Sequence, residues 1–269
     1  MPGHYIANGA YFNEDQQAIS PENRSYRYGD GLFETIRMAD GRIPLWELHS
    51  KRLFSGLQSL RISIPDWFNP PSLLNQILDL CRYNDLQHAR IRIVASRSEN
   101  EIPQYSIQTW PLDEPVPRFN LEGLKLGIFR GGRKSMDMLS NLKSNNYLIY
   151  ALAALHAKDL KVNDALVLNT EQRIADASIA NIYWVKGSVI FTPPLSEGPV
   201  DGVMRSYLCQ LLPIRETPLD LETLRSAEEV FVTNAVRGIQ WVQTVEEMEF
   251  HSFQVASQLH NQFILPVFS

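Results

Sequence analysis

Lys143 lies in the segment Ser140-Asn141-Leu142-Lys143-Ser144-Asn145-Asn146-Tyr147-Leu148, an amine between a short apolar approach and a strongly helical run. A lysine that ends a strand and precedes a helix can be fixed, partly desolvated and lowered in pKa, which is what an imine-forming amine needs. The same local sequence suits a surface lysine near a helix start, so its chemistry depends on what else the chain provides. The two cysteines, Cys81 and Cys209, sit in apolar, helix-like stretches. They read as packed thiols rather than a disulfide or metal ligands, so no metal site is expected and a reducing cytoplasm is. Lys and Arg are scattered through a chain of net charge -5, without the basic runs that a phosphate backbone requires. Nucleic acid is therefore not an expected partner. No stretch approaches the length of a membrane span, and the N-terminus lacks the basic and apolar regions of a leader. A soluble protein is expected, with no membrane partner.

Elements able to position such an amine are legible on both sides of it. The 269 residues, 44% of them hydrophobic, suffice for a sizeable core in one large domain or two smaller ones. Tyr5 to Phe12 reads as a hairpin turning at Asn8-Gly9. Leu32 to Met38 reads as a strand that Asp40-Gly41 turns into another, Arg42 to Leu45. Leu48, Leu53, Leu57 and Leu60 fall close to helical spacing within Glu47 to Leu60, and Leu73, Leu74, Ile77, Leu78 and Cys81 do so within Pro70 to Tyr83. Ala89 to Ser96 is β-branched and alternating, as a strand requires. The first hundred residues are thus α+β.

Pro111, Pro115 and Pro117, mixed with Asp and Glu, can neither continue a helix nor occupy a central strand. They divide the chain into a small N-terminal α+β domain (residues 1–112), a linker (113–120) and a larger C-terminal domain (121–269). In the larger part, Leu124 to Arg130 reads as a strand, Asn146 to Leu160 as a helix and Ala165 to Asn169 as a short buried strand. Asn181 to Val185 pairs with Val189 to Thr192 across a turn at Lys186-Gly187. Gly202 opens a helix, Glu229 to Thr233 and Ile239 to Val242 are the last strands, and Phe253 to Phe263 is a closing helix.

Five segments in this order resemble the class IV aminotransferases, the fold-type IV enzymes dependent on pyridoxal phosphate (PLP). They are Tyr28-Gly29-Asp30-Gly31-Leu32-Phe33-Glu34-Thr35-Ile36-Arg37, His49 with Arg52-Leu53, Lys143 with Asn146, Ala180-Asn181-Ile182-Tyr183, and Gly202-Val203-Met204-Arg205. The resemblance runs from about residue 3 to residue 245. It implies an α+β fold of type IV, with a small N-terminal α/β domain and a larger C-terminal domain built on a pseudo-barrel sheet. It also implies a small-molecule amino substrate, PLP as cofactor, and a homodimer in which loops of one subunit complete the other's pocket.

By that resemblance, Lys143 is the Schiff-base lysine and the general acid/base that carries a proton between the substrate Cα and the cofactor C4′. Arg52 matches the arginine that reaches the cofactor phosphate, although by itself it also suits a solvated helix face. The helix beginning at Val203 and Met204 offers its backbone amides to the same phosphate, and Asn234 and Ala235 align with a second pair of phosphate-binding amides. The family places Glu five residues before the Asn of its Asn-Ile/Leu-Phe/Tyr motif, where a carboxylate keeps the pyridine nitrogen protonated. Here that position is Asp176, one methylene shorter, so the backbone or a water must close the gap. Lys143 and Asp176 are then the expected catalytic pair. His49 receives no role, and Tyr147 suits either the cofactor phenol oxygen or the core.

For the substrate, Gly-Asp-Gly before Leu-Phe-Glu-Thr, Asn234-Ala235 after a Val-Thr strand end, and Met204-Arg205 look most like aminodeoxychorismate lyases. These release pyruvate and leave 4-aminobenzoate, a step of folate biosynthesis. The lyase branch commonly carries a Gly- and Arg-rich loop where this chain has Arg97-Ser98-Glu99-Asn100-Glu101-Ile102-Pro103-Gln104-Tyr105-Ser106. A doubly anionic substrate would then rely on Arg27, Arg37 or Arg97, with Asn234 nearby, and Glu99 and Glu101 would oppose it. An aminotransferase for D- or branched-chain amino acids, and a non-catalytic homologue, are the other readings.

Overall fold

The computed structural model describes residues 3–16 and 20–269. It comprises two compact units. The first is the chain up to Val116 with Lys143–Asn146 and Phe268–Ser269, and the second is Pro117–Leu142 with Tyr147–Val267.

In the first unit, β1 (His4–Ala7) and β2 (Ala10–Asn13) form the expected hairpin, and Asn8 and Gly9 turn it with φ of 50 and 83°. A short helix, α1 (Arg24–Tyr28), follows, capped by the Asn23 side chain at one end and by Gly29, φ 67°, at the other. Its five residues bury nothing, so no apolar period announces it. The strand β3 (Gly31–Met38) is the expected one. The strand expected at Arg42 to Leu45 does not form. Asp40 and Gly41 both adopt positive φ, a single bridge joins Ala39 to Arg42, and a second turn from Ile43 to Trp46 leads straight into α2 (Trp46–Ser59). The next helix, α3 (Pro70–Tyr83), starts where the Asn69 side chain accepts the Ser72 N–H at 2.9 Å and prolines fill its first positions. It buries Leu73, Ile77, Leu80 and Cys81. Burial pushes the Cys81 thiol up to about 12, which makes it a packing group and not a nucleophile. The strands β4 (Ala89–Arg97) and β5 (Pro103–Pro111) complete an antiparallel sheet of order β2-β1-β5-β4-β3. In it β3 is an edge strand, paired with β4 from Gly31 opposite Ser96 to Met38 opposite Ala89.

The second unit opens with β6 (Leu124–Lys134), which runs through Gly131-Gly132 to Lys134, beyond its expected end. The helix α4 (Leu148–Asp159) is followed by β7 (Asp164–Asn169), β8 (Ile174–Ala177), β9 (Asn181–Lys186) and β10 (Val189–Thr192). The β9/β10 register pairs Lys186 with Val189, so the turn is Gly187-Ser188, one residue later than expected, because Gly187 takes the positive φ. Then come α5 (Val203–Leu211), β11 (Arg215–Glu216), α6 (Leu221–Arg225), β12 (Glu229–Asn234), β13 (Gly238–Val245) and β14 (Met248–Glu249). Sheet order is β11-β10-β9-β12-β13-β6-β7-β8, with β14 paired to β13. Alternate residues of β6 serve two cores: Leu126 and Ile128 join Leu166, Leu168, Trp184 and Val232, while Phe129 packs with Tyr150, Ala153 and Val167 under α4. Every residue of β7 is buried, which explains its unbroken apolar run. The closing helix is interrupted: α7 (Gln254–Leu259) passes through a π turn at His260–Ile264 into α8 (Leu265–Phe268).

Candidate active site

Lys143 does not end a strand. It occupies an irregular tetrapeptide laid along the free edge of β3, where its carbonyl accepts the Phe33 N–H at 2.9 Å, Ser144 bridges Leu32, and the Asn145 N–H donates to the Gly31 carbonyl at 2.8 Å. This pairing fixes the backbone on both sides of the amine. A side chain at Gly31 would disrupt it, because a Cβ there would lie 2.5 Å from the Ala95 carbonyl oxygen and 2.7 Å from Asn145 Nδ2. The Lys143 Nζ lies 4.4 Å from the centroid of the Phe33 ring, and the Arg92 guanidinium carbon lies at the same distance from that centroid. One aromatic ring thus holds two cations, the Lys143 amine among them. A cavity of about 300 Å³ adjoins Arg92 and Asn145, lined also by Val94, Tyr105, Asn23 and Gln104 among others.

Strand alternation sends Glu34, next to Phe33, to the opposite face of β3, under α2. There Arg52 donates to both Glu34 oxygens, Nε to Oε1 at 2.7 Å and a terminal nitrogen to Oε2 at 2.6 Å, and the His49 ring nitrogen Nδ1 lies 2.7 Å from Oε2. Burial alone would raise the Glu34 pKa, but the Arg52 charge and the His49 hydrogen bond outweigh it and hold the carboxyl at about 2. Burial pushes His49 the other way, down from its usual value, with the Arg52 and Lys143 charges adding to that and Glu34 opposing it. The triad is an anion, a cation and a neutral imidazole.

The three arginines expected to read substrate carboxylates lie elsewhere in this unit. Arg27 is exposed and pairs with Glu22. Arg37 is buried and donates to the carbonyls of Glu114 and Pro115 at 2.6 and 2.8 Å. Arg97 binds Asp30 through Nε at 2.9 Å and the Leu60 and Arg61 carbonyls at 2.6 and 3.0 Å.

In the second unit, Asp176 is a buried residue of β8. Its Oδ2 accepts the Tyr150 hydroxyl at 2.8 Å and the Val200 N–H at 2.9 Å. The Val200 carbonyl in turn accepts from Asn181 Nδ2 at 2.8 Å. Val200 is therefore fixed at both of its backbone polar groups, three residues before the first residue of α5. Gly202 caps that helix without a side-chain bond, and the first bond back to it comes from the Ser206 N–H, so the Val203 and Met204 amides precede the helical ladder. The acid and the amide-bearing helix start are thus tied together through one residue. Asn234 sits at the β12/β13 turn, where its Oδ1 accepts the Val236 and Arg237 N–H groups at 3.0 and 2.8 Å, with Ala235 between. Tyr147 stacks on Tyr150 with centroids 4.4 Å apart and donates its hydroxyl to the Ser178 carbonyl at 2.9 Å.

Arg92 and Tyr150 are the residues that sequence reasoning passed over, while Glu34 stood only within a motif and His49 was given no role. Arg92 is one of two charged residues on its face of β4, and nothing local separates it from Arg90. The pairing of Glu34 with His49 and Arg52 had a signal, since three polar residues fall within otherwise apolar patterns. Among the described residues, no helix is long and apolar enough to cross a membrane and no group of His, Cys, Asp and Glu could hold a metal ion.

A family model described as amino-transferase class IV matches residues 31–245. A relative from Methanocaldococcus jannaschii named "Putative branched-chain-amino-acid aminotransferase" is 28% identical over 263 residues, covering 92% of this chain and 90% of its own. An aminodeoxychorismate lyase from Vibrio harveyi is 28% identical over 243 residues, covering 84% and 87%. Among solved structures, the branched-chain aminotransferase of Thermoproteus uzoniensis, determined with norvaline, superposes with a TM-score of 0.88 at 21% identity, over 100% of this chain and 95% of that one. The fold is the type IV architecture, with the large sheet curled into half a barrel.

Proposed function

Because the chain belongs to the class IV aminotransferases, a family of PLP-dependent enzymes, we propose that Lys143 is the amine that binds the cofactor and then moves the substrate's proton. The donors within each unit suit the group. Lys143 would hold its aldehyde carbon, Asp176 its ring nitrogen, and Arg52 with the Val203, Met204, Asn234 and Ala235 amides its phosphate. The tie through Val200, which sets the Asp176 carboxylate and the start of α5 together, supports this assignment. When bound, PLP supplies an aldehyde for the substrate amine and a protonated ring that draws electron density from the substrate Cα.

The chain's own groups do the rest. Phe33 and the edge of β3 orient the Lys143 amine, which would take the proton from the substrate Cα and, in transamination only, return it at the cofactor C4′. Asp176 would hold the proton on the ring nitrogen. Glu34 keeps the Arg52 guanidinium in one orientation, the preorganisation that an anion ligand requires. Arg92, sharing the Phe33 ring with Lys143, binds a substrate carboxylate, and this contact is the observation that carries the reading.

The substrate we favour is 4-amino-4-deoxychorismate, cleaved to 4-aminobenzoate and pyruvate in folate biosynthesis. A cavity of about 300 Å³ beside Arg92, with Val94 and Tyr105 in its lining, suits a ring-bearing carboxylate. A second reading, an aminotransferase for D- or branched-chain amino acids, is favoured by the engagement of Arg37 and Arg97 with the protein itself, which leaves fewer cations for a dianion. Lyase activity releases pyruvate from aminodeoxychorismate with no keto acid added. Transamination instead requires an amino donor, which alone changes the cofactor absorbance, and a keto acid to restore it. Release of pyruvate without an acceptor supports the first reading, and its absence together with a donor-driven absorbance change overturns it.

A cytoplasmic homodimer completes the reading. The α4 surface leaves Leu148, Leu152 and Leu155 67, 43 and 55% exposed, an apolar stripe suited to a second copy, and both cysteines are free thiols.

A further inference from the structure

Asp176 stands where the family's longer acid stands, and a carboxylate one methylene nearer its own backbone must be aimed more tightly to serve the same ring nitrogen. The residues around it supply that aim. Tyr150, 4% exposed on the inner side of α4, donates its hydroxyl to Asp176 Oδ2 at 2.8 Å, and the Val200 N–H meets the same oxygen at 2.9 Å. Two donors on one oxygen fix the plane of the carboxylate. Tyr150 is itself held on its ring. Tyr147 stacks on it with centroids 4.4 Å apart, and the Lys134 Nζ lies 5.2 Å from its centroid while donating to the Ser140 carbonyl at 2.5 Å. Lys134 is a buried cation that no step of the proposed mechanism uses.

We propose that Tyr150, immobilised between Tyr147 and Lys134, is the positioning residue that lets the shorter acid at 176 hold a proton on the cofactor ring nitrogen. This rests on the reading of Asp176 given above. The hydroxyl remains a donor throughout the working range, since burial and then the Asp176 charge push its pKa well above the ordinary value. Lys134 is pulled down by burial, while the Asp176 and Asp137 charges raise it again.

The test uses the holoprotein loaded with PLP labelled with 15N in the ring, whose chemical shift reports whether that nitrogen carries a proton. The wild-type protein should show the protonated value. Tyr150→Phe should move it toward the deprotonated value, and Tyr150→Phe combined with Asp176→Glu should restore it, because the longer side chain reaches without the tyrosine. A tyrosine that only packs would lower the melting temperature in both backgrounds and leave the ring nitrogen protonated, and that result overturns the proposal. If Tyr150→Phe does not fold, Lys134→Met removes the cation beside the ring and should move the shift in the same direction; an unchanged shift overturns the proposal equally. A wild-type protein that takes up PLP with an unprotonated ring overturns the Asp176 reading and this proposal together. Protonation retained in the Tyr150→Phe protein overturns the role of Tyr150 alone.

Discussion

Arg52 grips Glu34 through both carboxylate oxygens, at 2.7 and 2.6 Å, under the one helix that also brings His49 to the same acid. The Glu34 carboxyl titrates at about 2 in the folded protein against 4.5 unperturbed, so its share of the stability is complete above pH 4.5 and is lost as the pH falls toward 2. A depression of this size corresponds to about 3 kcal/mol. The buried, neutral His49 is also depressed. Its contribution is complete above its ordinary value of 6.5 and is lost as the pH falls below it. Thermal denaturation between pH 7.5 and 3 should therefore weaken in two stages. His260, pushed down by burial as well, adds to the upper stage, so the informative comparison is with His49→Gln. That variant should flatten the upper stage and leave a smaller lower one, held by the Arg52 charge, and parallel curves for the two proteins would contradict the assignment.

Arg92 and Arg97 should separate into a substrate ligand and a structural residue. Replacing Arg92 by Gln should raise KM for the carboxylate substrate about 10- to 100-fold while PLP uptake is unchanged. Arg97→Gln unties Asp30 from the Leu60 and Arg61 carbonyls and should lower the melting temperature by about 2 to 4 °C, with KM little altered. Steady-state kinetics and melting curves on both variants decide the matter, and an exchange of the two phenotypes would refute it.

Asp176→Asn should slow turnover by about 100-fold or more, because a neutral amide cannot keep the ring nitrogen protonated. PLP affinity should fall much less, since the amine and the phosphate ligands are intact. Equal turnover in the two proteins would remove Asp176 from the chemistry.

Gly202 is a steric requirement of the helix start. A Cβ there would lie 1.9 Å from Asn181 Oδ1, so Gly202→Ala must displace the side chain that fixes Val200 or shift the first turn of α5. PLP affinity, read from an absorbance titration, should weaken about 10-fold, as expected when an anion site loses its supporting contacts. Gly187 provides the control. Its Cβ would meet nothing within 4 Å, so Gly187→Ala carries only the strain of φ 60° and should leave cofactor affinity unchanged.

Much of this arrangement is legible in the residues themselves, and what is not has a physical reason. Asn8-Gly9, the leucine spacing of α2 and the proline-led start of α3 are local signals, and the folded chain obeys them. Arg42 to Leu45 looks like a strand because its residues are compatible with one, but the turn that precedes it leaves it no partner beyond one bridge. Lys143 stands out by sequence, yet its partner strand lies more than a hundred residues earlier, and no local pattern encodes that pairing. Arg92 and Tyr150 are hidden for a related reason. One is a charge on a strand face and the other an aromatic on a helix, and their roles arise only when β3 sets Phe33 beside Arg92 and when β8 sets Asp176 beneath Tyr150.

The central claim is that the amine of Lys143 forms the covalent link to the cofactor. Borohydride reduction of the PLP-loaded protein, followed by proteolysis and mass spectrometry, should place a phosphopyridoxyl mass on the peptide containing Lys143, and Lys143→Ala should abolish it. Label on another lysine of the wild-type protein, with Lys134 the buried alternative, or a protein that takes up no PLP at all, would contradict the account.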